Sequence, residues 1–145
     1  MHIIKLDIKR GTVSIDGIVI AVDKNGMLIK PITRLCLPPI HESGDRRYFR
    51  LSNKSNVCGS PADCIIEVRE AKLWTVAFLF NPIEFFDSSI LESTVLKKHE
   101  KDLEIRFKSK HPSSASADFG EAAQAIFFYD AKQGDLSLNV EFGHS

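Results

Sequence analysis

A chain of 145 residues, 43% hydrophobic and 26% charged, has the composition of one globular domain spanning 1–145. At that size a domain buries roughly 70% of the surface it exposes when unfolded, so folding requires neither a metal nor a disulfide. Nineteen Lys and Arg balance nineteen Asp and Glu, which removes the basic surplus that phosphate binding depends on and argues against nucleic acid as a partner.

No stretch approaches the roughly 20 apolar residues that span a bilayer, so no membrane association is expected. The opening "MHIIKLDIKRG" interleaves charges with apolar residues, unlike a signal peptide, and points to a cytoplasmic protein. Charge is uneven along the chain. Residues 1–50 hold nine Lys/Arg and five Asp/Glu, whereas residues 115–145 hold only Lys132 against Asp118, Glu121, Asp130, Asp135 and Glu141. An acidic end displayed on the surface would suit a basic protein partner.

Strand patterns dominate. "HIIKLDI" (2–8) alternates, and "TVSIDGIVIAV" (12–22) places two β-rich runs around Asp16-Gly17, a pair suited to the positive φ angles of a type I′ hairpin turn. With "DKNG" (23–26) as the next turn, the first 30 residues read as a meander of short antiparallel strands. Pro31, Pro38 and Pro39 then break the pattern. "RRYFRLS" (46–52) is the next strand, with Phe49 and Leu51 on one face and Arg46, Tyr48 and Arg50 on the other.

"CIIEVREAKLWTVAFLF" (64–80) reads as a hairpin bent near Glu70–Lys72. Its second arm is apolar on both sides, with Trp74, Val76, Phe78 and Phe80 opposite Leu73, Ala77 and Leu79, so it should lie centrally with a layer on each face. Ile83, Phe86 and Ile90 of "IEFFDSSILEST" (83–94) fit a helical stripe that Ser88-Ser89 weakens, and "TVLKKHEKDLEIRFK" (94–108) reads as a strand, a charged turn and an alternating strand with Leu103, Ile105 and Phe107 opposite Asp102, Glu104, Arg106 and Lys108. "SKHPSSASADFG" (109–120) has little to pack and reads as a long loop, followed by a helical turn or two in "EAAQAI" (121–126). A closing hairpin turns at Lys132–Gly134. Its last strand sets Leu136, Leu138, Val140 and Phe142 against Ser137, Asn139 and Glu141. The expected fold is α+β and β-dominated: a mostly antiparallel sheet of about 7–9 strands with one or two short covering helices.

Cys36, His41, Cys58 and Cys64 are the residues most suggestive of chemistry. Zinc could take such a set, but structural sites usually pair ligands near a C-x2-C spacing, and here the spacings are C-x4-H and C-x5-C. A Cys58–Cys64 disulfide would need an oxidising compartment. The favoured reading is of ordinary thiols, with Cys36 and Cys64 as small buried hydrophobes. No metal or other cofactor is expected.

His2 and His144 lie near the ends, where order is least expected. His99 sits in the charged turn "KKHEKD" and His111 precedes Pro112. None belongs to a catalytic signature: G-x-S-x-G, H-E-x-x-H, the P-loop and G-x-G-x-x-G are all absent from the sequence. The chain is therefore read as non-enzymatic, with no catalytic residue. Tyr and Arg are enriched at protein-binding hot spots, so Arg46, Tyr48 and Arg50 form one candidate binding surface and the acidic hairpin around Glu141 another.

The plan resembles that of small bacterial immunity proteins, which neutralise a cognate toxin by binding it. The likeness is carried by "VSIDGIVI", by "NPIEFF" after a central hydrophobic strand, and by the closing "LSLNVEF". It implies tight binding without catalysis and a protein toxin as partner, and assigns no residue a role. The expected function is that of a protein-binding module that occludes its partner. The alternative is a small-molecule binder or hydrolase-type enzyme with a pocket between sheet and helix. Self-association through an exposed strand edge stays open.

Overall fold

The computed structural model describes residues 1–39, 42–43, 45–81, 100–101, 106–107, 109–110, 114–130 and 135–142. Their strands are β1 (His2–Asp7), β2 (Thr12–Ile15), β3 (Ile18–Val19), β4 (Glu42–Ser43), β5 (Arg46–Arg50), β6 (Ser55–Val57), β7 (Ser60–Arg69), β8 (Lys72–Phe80), β9 (Ser109–Lys110), β10 (Ser114–Phe119), β11 (Ala123–Asp130) and β12 (Asp135–Phe142). One short helix, α1 (Lys30–Thr33), starts with Pro31 in its first turn, where a missing N–H costs nothing. Among the described residues the fold is thus β-dominated, and nine of its strands have three or more residues.

The sheet runs β3-β2-β1-β6-β7-β8-β12-β11-β10-β9, and β5 pairs with β7 beside β6. Every pairing is antiparallel except the short β1–β6 contact, where His2 lies opposite Ser55. The pleat sends alternate residues to opposite faces, and the registers line the inward residues up in rows. One row is Phe49, Ile66, Val76, Val140, Ala125 and Ala117; another is Cys64, Phe78, Leu138, Phe127 and Ala115. All are buried.

The N-terminal hairpin folds over these rows. A Cβ added to Gly120, in the β10–β11 turn, would stand 2.7 Å from the Cα of Gly11, in the β1–β2 turn. Those two turns belong to opposite parts of the sheet path, so their contact brings the β1–β2 hairpin back against the far part of the sheet. Ile4, Val13 and Ile15 of that hairpin, then Ile20, Leu28 and Ile32 beyond it, are buried in the same core. Phe107 adds an edge-on ring contact to Phe127, with centroids 6.4 Å apart.

Asp16 and Gly17 both have positive φ, 52° and 84°, as the hairpin reading requires. Four other expectations are corrected. Residues 114–119 are a strand, because Ala115, Ala117 and Phe119 alternate inward. The helical turn expected at 121–126 is replaced by β11 from Ala123, after a break at Gly120 with φ 69°. The described residues leave the outward side of the central strand β8 uncovered at Leu79, which is 39% exposed. His2, expected to lack order, is part of β1. The helical stripe read at 83–94, the strands and turn read over 94–108 except residues 100–101 and 106–107, the hairpin turn at 132–134, and His41, His99, His111 and His144 lie outside the described residues. Among the described residues, no helix is long and apolar enough to cross a membrane.

Gly120→Ala should destabilise the fold by about 2 kcal/mol or more, because left-handed backbone strain of roughly 1–2 kcal/mol is joined by a clash with backbone. Gly17→Ala has a similar φ but nothing within 4 Å, so it should lose only the strain. Urea denaturation of the two variants measures the difference.

Candidate functional site

The cysteines are dispersed by the fold. Cys58 (φ 53°) and Gly59 form the tight turn between β6 and β7, in which Val57 pairs with Ser60. Cys64 lies four residues beyond Ser60 on the inward face, about 13 Å along the strand at about 3.3 Å per residue. A disulfide needs Cα atoms within about 7 Å, so these two do not bridge. Cys36 bridges to Leu51, whose N–H donates to the Cys64 carbonyl at 3.1 Å. That places Cys36 and Cys64 two strand spacings apart, about 9.6 Å, again out of reach.

None of the three cysteines is disulfide-bonded. Burial pushes Cys36 up to about 11, and burial, then the neighbouring Cys36, pushes Cys64 up further. Neither is a thiolate nucleophile at neutral pH. Among the described residues, no three His, Cys, Asp or Glu side chains are grouped as metal ligands.

One polar cluster has the order of a catalytic relay. His2 Nδ1 lies 2.7 Å from Asp16 Oδ2, Asp16 Oδ1 accepts the Ile3 N–H at 2.8 Å, and Ser55 stands beside His2 in the β1–β6 pairing. His2 Nε2 and Ser55 Oγ are buried without a hydrogen-bond partner. Ser55 is fully buried, though, so no substrate reaches its hydroxyl as the strands stand. The Asp16 carboxylate is held below the usual carboxylate range, first by the Ile3 N–H and then by His2. Its evident work is to tie the β2–β3 turn to the first strand.

The outward face gathers the residues that the sequence singled out. Tyr48 pairs with Glu67, Glu67 with Thr75, Thr75 with Glu141, Glu141 with Gln124, and Gln124 with Asp118. The two surfaces read separately from the sequence therefore share one face, with Tyr48 and Glu141 in one row and Arg46 and Arg50 in the rows on either side. Tyr48 and Glu141 stand three strand spacings apart, about 14 Å. Below it runs Arg50, Ile65, Ala77, Asn139, Ile126 and Ser116, and then Asp63, Leu79, Ser137, Phe128 and Ser114. Leu79 and Phe128 are 39% and 40% exposed on either side of Ser137, which is 7% exposed, and with Ile65, Ala77 and Ile126 they make the middle of the face apolar.

The Tyr48 end is held in place by interactions invisible to a reading of single strands. A bulge between Glu67 and Val68 breaks the register and lets Trp74 meet Arg69, whose guanidinium carbon lies 4.5 Å from the ring centroid. Arg69 also donates twice to Glu67 Oε2, from Nε at 3.0 Å and from its terminal nitrogen at 2.7 Å. Desolvation opposes the Arg69 charge, but Glu67 and then Tyr48 raise its pKa beyond the ordinary value. Arg50 and Lys54 each reach Asp63 Oδ2 at 3.0 Å. Burial would raise the Asp63 carboxyl, yet these two cations hold it below the usual range. The Glu141 end is open: Glu141, Glu121, Asp118 and Gln124 are exposed. They line a 320 Å³ depression with Phe142. A neighbouring cavity of 370 Å³ is lined by Lys9, Arg10, Phe119 and Phe142.

Comparison with protein-family models, with characterised proteins and with solved structures finds no match to this chain.

Titrating thiols in denaturant without reductant should return three per chain, and a return of one would contradict the cysteine geometry. Asp16 and Asp63 both have depressed folded-state pKa values, so the stability they contribute is present above about pH 4 and lost as pH falls below it. Urea midpoints should therefore drop between pH 5 and pH 3, and Asp63→Asn should make that drop shallower.

Proposed function

We propose that this chain is a non-catalytic protein-binding module of the toxin-neutralising kind, which lays the outward face of its sheet over the functional surface of a partner protein. The row from Tyr48 to Glu141 is the observation that carries this reading. It joins an aromatic and basic end to an acidic end across a sheet whose backbone hydrogen bonds are already made.

Trp, Tyr and Arg are the residues that dominate binding energies at protein interfaces. Tyr48, Arg69 and Trp74 are held by one another and by Glu67, so binding would freeze few additional rotamers there. The acidic end suits a partner with a basic cleft, and charge of that kind speeds encounter and fixes orientation. A toxin acting on nucleic acid carries such a cleft, and covering it would block substrate without chemistry on the immunity side.

The test is co-purification of the tagged chain from its native source, followed by affinity measurement with the protein recovered. A stoichiometric, basic protein is expected. Trp74→Ala and Glu141→Lys should each weaken binding by roughly tenfold or more, the loss typical of an interface anchor. Recovery of a small ligand alone, or wild-type affinity in both variants, would overturn the reading.

A further inference from the structure

The outward face is complementary to itself. Its six columns are β5, β7, β8, β12, β11 and β10, with the centre between β8 and β12. A two-fold axis through that centre, parallel to the strands, lays β5 on β10, β7 on β11 and β8 on β12 while preserving the height of each row. Tyr48 then faces Asp118, Glu67 faces Gln124, Arg50 faces Ser116 and Ile65 faces Ile126. Arg46, two residues above Tyr48, reaches the height of the β10–β11 turn, whose apex holds Glu121. Arg46, Asp118 and Glu121 are all exposed. No like charges meet at these positions: the basic β5 of each copy lies over Asp118 and the Glu121 turn of the other, Thr75 faces Glu141, and Asp63, already paired with Arg50 and Lys54, falls opposite Phe128.

We infer that in the absence of its partner this chain forms a two-fold dimer in which the two outward sheet faces pack on each other. Sheets stacked face to face keep their strands within about 30° of one another, so the central pairs retain this register. Six strands at about 4.8 Å and eight residues at about 3.3 Å give a patch of about 24 Å by 25 Å. That is about 1,200 Å² over both copies, the lower end of specific interfaces. The exposed Leu79 and Phe128 lie within it. A zero net charge leaves no overall repulsion between copies. The dimer is therefore weak, sensitive to salt, and exclusive with the partner complex, because both use the same face.

Sedimentation velocity of the purified full chain, from low-micromolar to sub-millimolar concentration, tests this directly. A monomer–dimer equilibrium is expected that shifts toward monomer at high salt. Arg46→Glu and Glu121→Arg should each weaken the dimer about fivefold to tenfold, since each reverses two symmetry-related contacts. The double swap should return to within about threefold of the wild-type value. A chain monomeric throughout, a dimer indifferent to both single swaps, or a double swap weaker than either single one would overturn the inference. Those results would leave the partner proposal standing, because capture of a partner is read separately.

Discussion

The pleat of a β-strand is the constraint on which this structure depends. In β7 the inward residues Ala62, Cys64, Ile66 and Val68 are buried, and the residues between them, Asp63, Ile65, Glu67 and Arg69, are thrown to the other face. Neighbouring strands repeat the alternation in register, so burying one set of rows aligns the other set outside. The outward rows are therefore a consequence of core packing. A one-residue slip of β7 would bury Asp63 and Glu67 and expose the core together.

The N-terminal hairpin makes that arrangement asymmetric. By meeting the β10–β11 turn at Gly11 and Gly120, it covers one side of the sheet and leaves the other without an equivalent layer among the described residues. Polar interactions then finish the outward face locally. Asp63 is satisfied by Arg50 and Lys54, and Glu67 by Arg69. These pairs are partly exposed and so add little to stability. The clearer effect of the Glu67–Arg69 pair is to hold Arg69 against Trp74 and Tyr48.

Much of this was legible in the sequence because it is local. The Asp16-Gly17 turn, the alternation of β5 and β12 and the hairpin over 64–80 follow from turn chemistry and period two. The β10 strand was missed because Ser and Ala alternate with little contrast in hydropathy, although Ala115 and Ala117 pack as tightly as larger residues. Trp74 was grouped with Val76 by parity, whereas the bulge moves it to the outward side beside Arg69. The adjoining turn falls where the bend near Glu70–Lys72 was read, although Glu70 and Ala71 reach positive φ without a glycine. The union of Tyr48 and Glu141 into one surface depends on pairings between distant segments, which no local pattern encodes.

Side-chain NMR of the chain bound to its co-purified partner tests the central claim most directly. If the outward rows are the recognition surface, the methyl signals of Ile65, Thr75, Ala77 and Leu79 should move on binding while those of Val76, Leu138 and Val140 stay in place. Shifts confined to the β1–β3 hairpin, with the outward methyls unchanged, would contradict it.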